Sequence, residues 1–133
     1  MKIYIGHSKD VNYEEELYKP IRELEKSTNH MFLLPHEKNS NSNNERAFYN
    51  NLDLFIAEVS MPSTGLGIEL GWAYDNSTPI YCIYKKGKKV NGSLKSITDK
   101  FYEYETTEEL KNTIKLIIKE NQNVSHSKNA YWS

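Results

Sequence analysis

Apolar residues recur along the chain in short blocks separated by polar stretches. Five blocks have the length and the β-branched or aromatic content of strands: Lys2–Gly6, Met31–Leu34, Asp53–Val59, Pro79–Tyr84 and Phe101–Tyr104. The run Leu54-Phe55-Ile56-Ala57 is apolar throughout, as expected of a parallel strand covered on both faces. Between the blocks the period changes. Leu17, Ile21 and Leu24 share one face of a helix over Tyr13–Ser27, which Pro20 should kink. Leu66, Leu70, Ala73 and Tyr74 share a face of a helix running to Asn76. Leu110, Ile114 and Ile117 form the stripe of a last helix, capped by Thr106 or Thr107 and opened by Glu108 and Glu109.

Alternation of strand and helix predicts an α/β fold with a parallel sheet and helices on both faces. A flavodoxin-like, Rossmann-like doubly wound sheet of five strands in the order 2-1-3-4-5 fits the pattern best. Its switch point lies between the first and third strands, and ligands of such sheets bind there, beyond the carboxyl ends. Tyr4, Gly6, His7 and Ser8 should therefore meet the Ser60–Glu69 segment in one crevice. Residues 1–120 read as a single domain and 121–133 as a polar tail. Glu37–Asn44 (EKNSNSNN) is a polar loop, either a lid or a plain solvated connection. Asn44 is placed to cap a helix over Glu45–Asn51.

Composition adds mainly exclusions. Seventeen basic and 18 acidic residues give a formal net charge of -1, so no electrostatic footprint for a nucleic-acid polymer or a membrane surface is present. No stretch is apolar enough to span a bilayer. The N-terminus passes directly into a strand, leaving no room for a signal peptide, and Cys82 is the single cysteine. A cytoplasmic protein is the expectation. His30 and His36 lack ligand spacing, so neither a metal site nor a cofactor is indicated. His7 reads as a loop residue, and the Lys85–Lys89 cluster as a solvated basic turn.

Candidate chemistry concentrates in Asp53–Ala73, DLFIAEVSMPSTGLGIELGWA. Strand, Gly-containing turn and helix place Glu69 near a helix N-terminus above the end of a strand. The helix dipole there favours the charged, nucleophilic carboxylate. Such a glutamate either complements the dipole alone or performs chemistry, and Gly65 and Gly67 by themselves do not decide between the two.

The longer string Ala57-Glu58-Val59-Ser60-x-Pro62-Ser63-x-Gly65-x-Gly67-x-Glu69-Leu70-Gly71 resembles the signature of the nucleoside 2-deoxyribosyltransferase superfamily, which includes the 2′-deoxynucleoside 5′-monophosphate N-glycosidases. The likeness extends more weakly from Lys2 to about Tyr104. It implies that Glu69 is the nucleophile and that Tyr4 hydrogen-bonds it. It aligns Glu45, eight residues before Asp53, with the acid that assists departure of the base, an Asp in the hydrolases. An exposed helix-start Glu45 and a plain core Tyr4 are the competing readings. Glu58 is assigned a hydrogen-bonded structural role as readily as a functional one, and Asp53 a structural one.

Six residues before Glu69 stands Ser63, where the free-nucleoside transferases resemble one another in having an acid and the monophosphate hydrolases in having a serine. A carboxylate there would repel a 5′-phosphate, whereas a hydroxyl beside helix N-terminal amides would bind one. Ser93 aligns with a serine that the hydrolases contribute to the neighbouring subunit's phosphate site, which implies a homodimer or higher homo-oligomer. The hydrolases' Gly- and Arg-containing loop is replaced here by His7-Ser8-Lys9-Asp10. The expected substrate-binding set is Gly6, Ser8, Ser63, Gly65, Gly67 and Ser93. The leading expectation is cleavage of 2′-deoxynucleoside 5′-monophosphates through a glycosyl-enzyme. The alternatives are base exchange by a nucleoside 2-deoxyribosyltransferase and a non-catalytic nucleotide-binding module.

Overall fold

The computed structural model describes the backbone of residues 1–37 and 46–132 and the side chains of 1–37 and 48–122. Five strands, β1 (Lys2–His7), β2 (Met31–Leu33), β3 (Leu54–Glu58), β4 (Ile80–Lys85) and β5 (Phe101–Tyr104), form one sheet in the order β2-β1-β3-β4-β5. Every pairing is parallel. This is the doubly wound order expected from the alternation of elements. β3, at the centre, is buried along its whole length, which accounts for its uninterrupted apolar run.

The sheet divides the interior into two cores. Ile3, Ile5, Ile56 and Ile83 project to one face and meet Leu17, Ile21, Leu110, Ile114 and Ile117. Tyr4, Phe55, Ala57 and Cys82 project to the other and meet Leu66, Leu70 and Ala73. The period of two along each strand thus sorts residues to opposite layers. Cys82 is fully buried in the second core, and burial pushes its thiol up to about 12.

A π-helical turn, Glu14–Tyr18, runs directly into α1 (Lys19–Glu25) through Tyr18 and Lys19 in helical conformation, and Pro20 is the second residue of α1. The wider π turn ahead of it accommodates the proline within the helical path. α2 spans Thr64–Asp75. A 3₁₀ turn, Gly92–Ser96, is the helical element between β4 and β5. α3 runs Thr107–Trp132 and so continues through the stretch set apart by its polarity as a tail. That stretch has no Gly or Pro to stop a helix, and Asn121 is buried with its amide on the Ile117 carbonyl. Thr106 caps α3, accepting from the Glu109 N–H at 3.1 Å. Residues 39–44, read as a loop or lid, and Glu45 with its cap Asn44 lie outside the described residues; a 3₁₀ helix covers Arg46–Asn51.

Candidate active site

The β3–α2 junction is built by four hydrogen bonds. Glu58 ends β3 fully buried, and its carboxylate accepts from the Ser60 N–H at 2.6 Å and from the Tyr104 phenol. Ser60 Oγ accepts from the Lys85 N–H at 2.8 Å, tying the turn to β4. Ser63 then caps α2, its Oγ accepting from the Leu66 N–H at 3.2 Å. Glu58 is thereby the strut of this turn, a hydrogen-bonded structural carboxylate. Asp53 is structural too, accepting from the Lys2 N–H at 2.7 Å at the far end of the sheet.

Beside this junction lies an open crevice of about 350 Å³. Glu69, in the second turn of α2, reaches it half-buried. Ser63 and Gly65 line its edge at the start of α2, Lys9 and His36 another side, and Tyr49 and Trp72 a third. Tyr4 donates to Glu69 Oε2 at 2.5 Å, the contact anticipated for a tyrosine at this place in the first strand. Tyr49, from the 3₁₀ helix before β3, donates to the same oxygen. The two phenol oxygens stand 3.5 Å apart, so each directs its proton to the carboxylate. Among the described residues no donor reaches Oε1.

The tyrosines are held by aromatic packing. Tyr4 meets Tyr49 edge-on at 5.3 Å and Phe55 at 4.9 Å, and Tyr49 packs on Trp72 at 5.3 Å. Burial, reinforced by the Glu69 charge, pushes both phenols well above the usual 10. Both therefore remain donors throughout the working pH range.

His7 is not a loop residue. It closes β1 opposite Glu58, is 5% exposed, and forms part of the crevice wall. Its Nδ1 donates to the Ser8 carbonyl at 2.8 Å, which leaves Nε2 to accept from the Tyr18 phenol at 2.7 Å. That phenol in turn accepts from the His36 N–H at 3.0 Å. His7 is therefore the neutral Nδ1–H tautomer, stacked on Tyr13 at 4.7 Å.

The other expected binding residues divide. Ser63 and Gly65 line the crevice with Glu69. Ser8 is buried, and its Oγ accepts from the Asp10 N–H at 3.0 Å; Lys9 is the residue of this turn that lines the crevice. Gly6 serves packing, because a Cβ there would meet Leu66 Cδ1 and the Phe55 ring at 2.7 Å. Gly67 and Ser93 line a separate hollow of about 190 Å³ that shares Ser63 with the crevice. Within one chain, Ser93 is thus on the other side of the α2 N-terminus from Glu69. Tyr49, Trp72 and His36 are crevice residues that sequence reasoning missed. The one available signal was Ala47-Phe48-Tyr49, a short apolar run isolated between Pro35 and Leu52 in otherwise polar chain.

A Tyr-clamped carboxylate beside a capped helix N-terminus suits attack on an electrophilic carbon next to a bound anion. No protein-family model and no curated protein matches the sequence. Solved structures do. The CMP N-glycosidase BcmB of Clostridium botulinum is 17% identical with a TM-score of 0.61, over 86% of this chain and 99% of that one. A 2-deoxyribosyltransferase from Bacillus psychrosaccharolyticus is 22% identical with a TM-score of 0.53, over 84% of this chain and 91% of that one. A conserved protein from Enterococcus faecalis is 18% identical with a TM-score of 0.54, over 87% of this chain and 98% of that one. The chain thus has the α/β fold that the CMP N-glycosidase and the 2-deoxyribosyltransferase among these structures share.

Proposed function

We propose that this chain is an N-glycosidase of the nucleoside 2-deoxyribosyltransferase superfamily, acting on 2′-deoxynucleoside 5′-monophosphates. The observation that carries the reading is Glu69, held by two phenols at a crevice whose edge is Ser63, the α2 cap. Glu69 attacks the anomeric carbon, the bond to the base breaks, and a glycosyl ester forms; water then releases deoxyribose 5-phosphate. A deoxyribose suits this route, because without an electron-withdrawing 2′-hydroxyl the oxocarbenium-like transition state forms more easily. Glu45 is assigned, by resemblance alone, as the acid that protonates the departing base.

Ser63 favours the monophosphate over the free nucleoside. Its hydroxyl, the first amides of α2 and the exposed Lys9 ammonium offer donors and positive charge to a phosphate. The name of the structural neighbour BcmB, a CMP N-glycosidase, agrees with a phosphate-bearing substrate. Ser93 is assigned to the phosphate site of a partner subunit in a homodimer, and the enzyme to the cytoplasm. Base exchange is the second reading, favoured by the deoxyribosyltransferase neighbour.

A product assay over matched deoxynucleosides, deoxynucleoside monophosphates and ribonucleoside monophosphates, with and without a second free base, tests the proposal. Free base and deoxyribose 5-phosphate are expected, fastest from the deoxynucleoside monophosphates. Transfer of deoxyribose from nucleosides to the added base would install the transferase reading. Binding of nucleotides with no release of base would leave a non-catalytic module.

A further inference from the structure

Tyr4 and Tyr49 place both phenol protons on one oxygen of Glu69. If orientation were the only requirement, the fixed Tyr4 on β1 would suffice. A second donor on the same atom changes the carboxylate's chemistry. In the free enzyme Oε2 carries part of a full negative charge and accepts two charge-assisted bonds. In a glycosyl ester formed through Oε1, Oε2 is a neutral carbonyl oxygen, and both bonds weaken. They strengthen again as the ester breaks.

Resting on the glycosidase reading above, we propose that Tyr49 is a positioning residue that tunes Glu69 as a leaving group, hastening breakdown of the glycosyl-enzyme. In the first step the Oε1 lone pair forms the bond to the anomeric carbon. The C–N pair departs with the base, which takes its proton from an acid or water. In the second step water oxygen bonds the anomeric carbon. The ester C–O pair returns to Glu69, and the water's proton passes to solvent. Tyr49 acts on both steps with opposite sign: its bond makes the carboxylate a weaker attacker and a better departing group. Two donors therefore keep the covalent intermediate short-lived and leave an added base little time to intercept it. The location suits this role. Tyr49 is 1% exposed and fixed between Tyr4 and Trp72, so its hydroxyl keeps its place while the substrate is exchanged.

Tyr49→Phe retains the ring and removes the donor. With a deoxynucleoside monophosphate as substrate, acid-quenched samples analysed by intact-mass spectrometry report the fraction held as glycosyl ester. Steady-state kinetics report KM and kcat/KM. The variant should hold about five- to tenfold more ester at saturation than wild type where that fraction is small. KM should fall as the ester accumulates, while kcat/KM is unchanged or raised. Tyr4→Phe, which removes the other bond, should shift the ester fraction and KM in the same directions. A fall in kcat/KM with no added ester in either variant would show that the phenols merely hold the site together, and would overturn the assignment. A wild-type chain that releases no base from any nucleoside or nucleotide would overturn the glycosidase reading itself, and this inference with it.

Discussion

A Cβ on Gly6 would lie 2.7 Å from Cδ1 of Leu66 and equally close to the Phe55 ring. This contact at the end of β1 lets the start of α2 settle against the sheet, and so sets how near Glu69 comes to Tyr4. Gly6→Ala should therefore destabilise the fold by about 1–3 kcal/mol, the usual range for overpacking a filled core. It should also loosen the Tyr4–Glu69 contact. Urea unfolding of the variant checks the first effect and turnover the second. Unchanged stability and activity would show that Leu66 and Phe55 yield freely.

Glu69→Gln should reduce turnover on the order of 10⁴-fold while leaving the melting curve close to wild type. The side chain is half-buried in the crevice, and an amide oxygen still accepts from both phenols. Near-normal turnover by this variant is incompatible with a glutamyl intermediate.

Ser63→Asp offers a test of phosphate recognition that spares the fold. Asp is as good an N-cap as Ser, so α2 should retain its start. A negative charge about 4 Å from a bound phosphate costs about 1–4 kcal/mol, depending on solvent exposure. The variant should lose about fivefold to nearly a thousandfold in kcat/KM for monophosphates, as this repulsion implies, and little for free nucleosides. Equal losses on both substrates would remove Ser63 from the phosphate site.

The neutral His7 predicts a pH response. Burial lowers its pKa below the ordinary 6.5, with the Ser8 carbonyl opposing and the nearby His36 adding to the shift. The unfolded chain therefore binds this proton more readily than the folded one. The contribution is complete above about pH 6.5 and is lost as the pH falls from there through the folded pKa. Carboxylates such as Glu37, whose pKa its bond to Arg22 lowers below 4.5, act only at greater acidity. Melting temperatures at pH 7.5 and 5.5 should converge in His7→Gln relative to wild type. His30, shifted in the same direction by partial burial, leaves a residual slope in both proteins.

The oligomer prediction rests on α2. Tyr74 is 56% exposed and follows Gly67 and Gly71 along one face of α2, where open space stands in place of each missing Cβ. Such a face accepts close approach of another helix. Tyr74→Asp, which stands outside the crevice, should convert a homodimer to a monomer in light scattering, with loss of monophosphate cleavage because Ser93 then reaches no second crevice. A wild-type monomer fully active at low concentration would contradict this.

The ladder of elements and the position of Glu69 in it are legible in the residue pattern alone. Apolar blocks of strand length, helical stripes between them and the Gly-punctuated junction at Met61–Gly67 are local properties, written in periodicity and turn chemistry. They yielded the strand order and Glu69 above the strand ends. Tertiary structure alone decided which atoms meet. Tyr49 is 20 residues from Glu69, and Tyr4 is 65. No local pattern records that both donate to one oxygen, because that depends on how a 3₁₀ turn and two layers pack. The sequence likewise left Gly6 and Ser8 as binding residues, since a Cβ-free position and a small hydroxyl look the same whether they face ligand or protein. Packing assigned Gly6 to Leu66, turned Ser8 into its own loop, and drew His7 into the wall of the crevice. It also carried α3 through a polar stretch, where the absence of helix breakers outweighed composition.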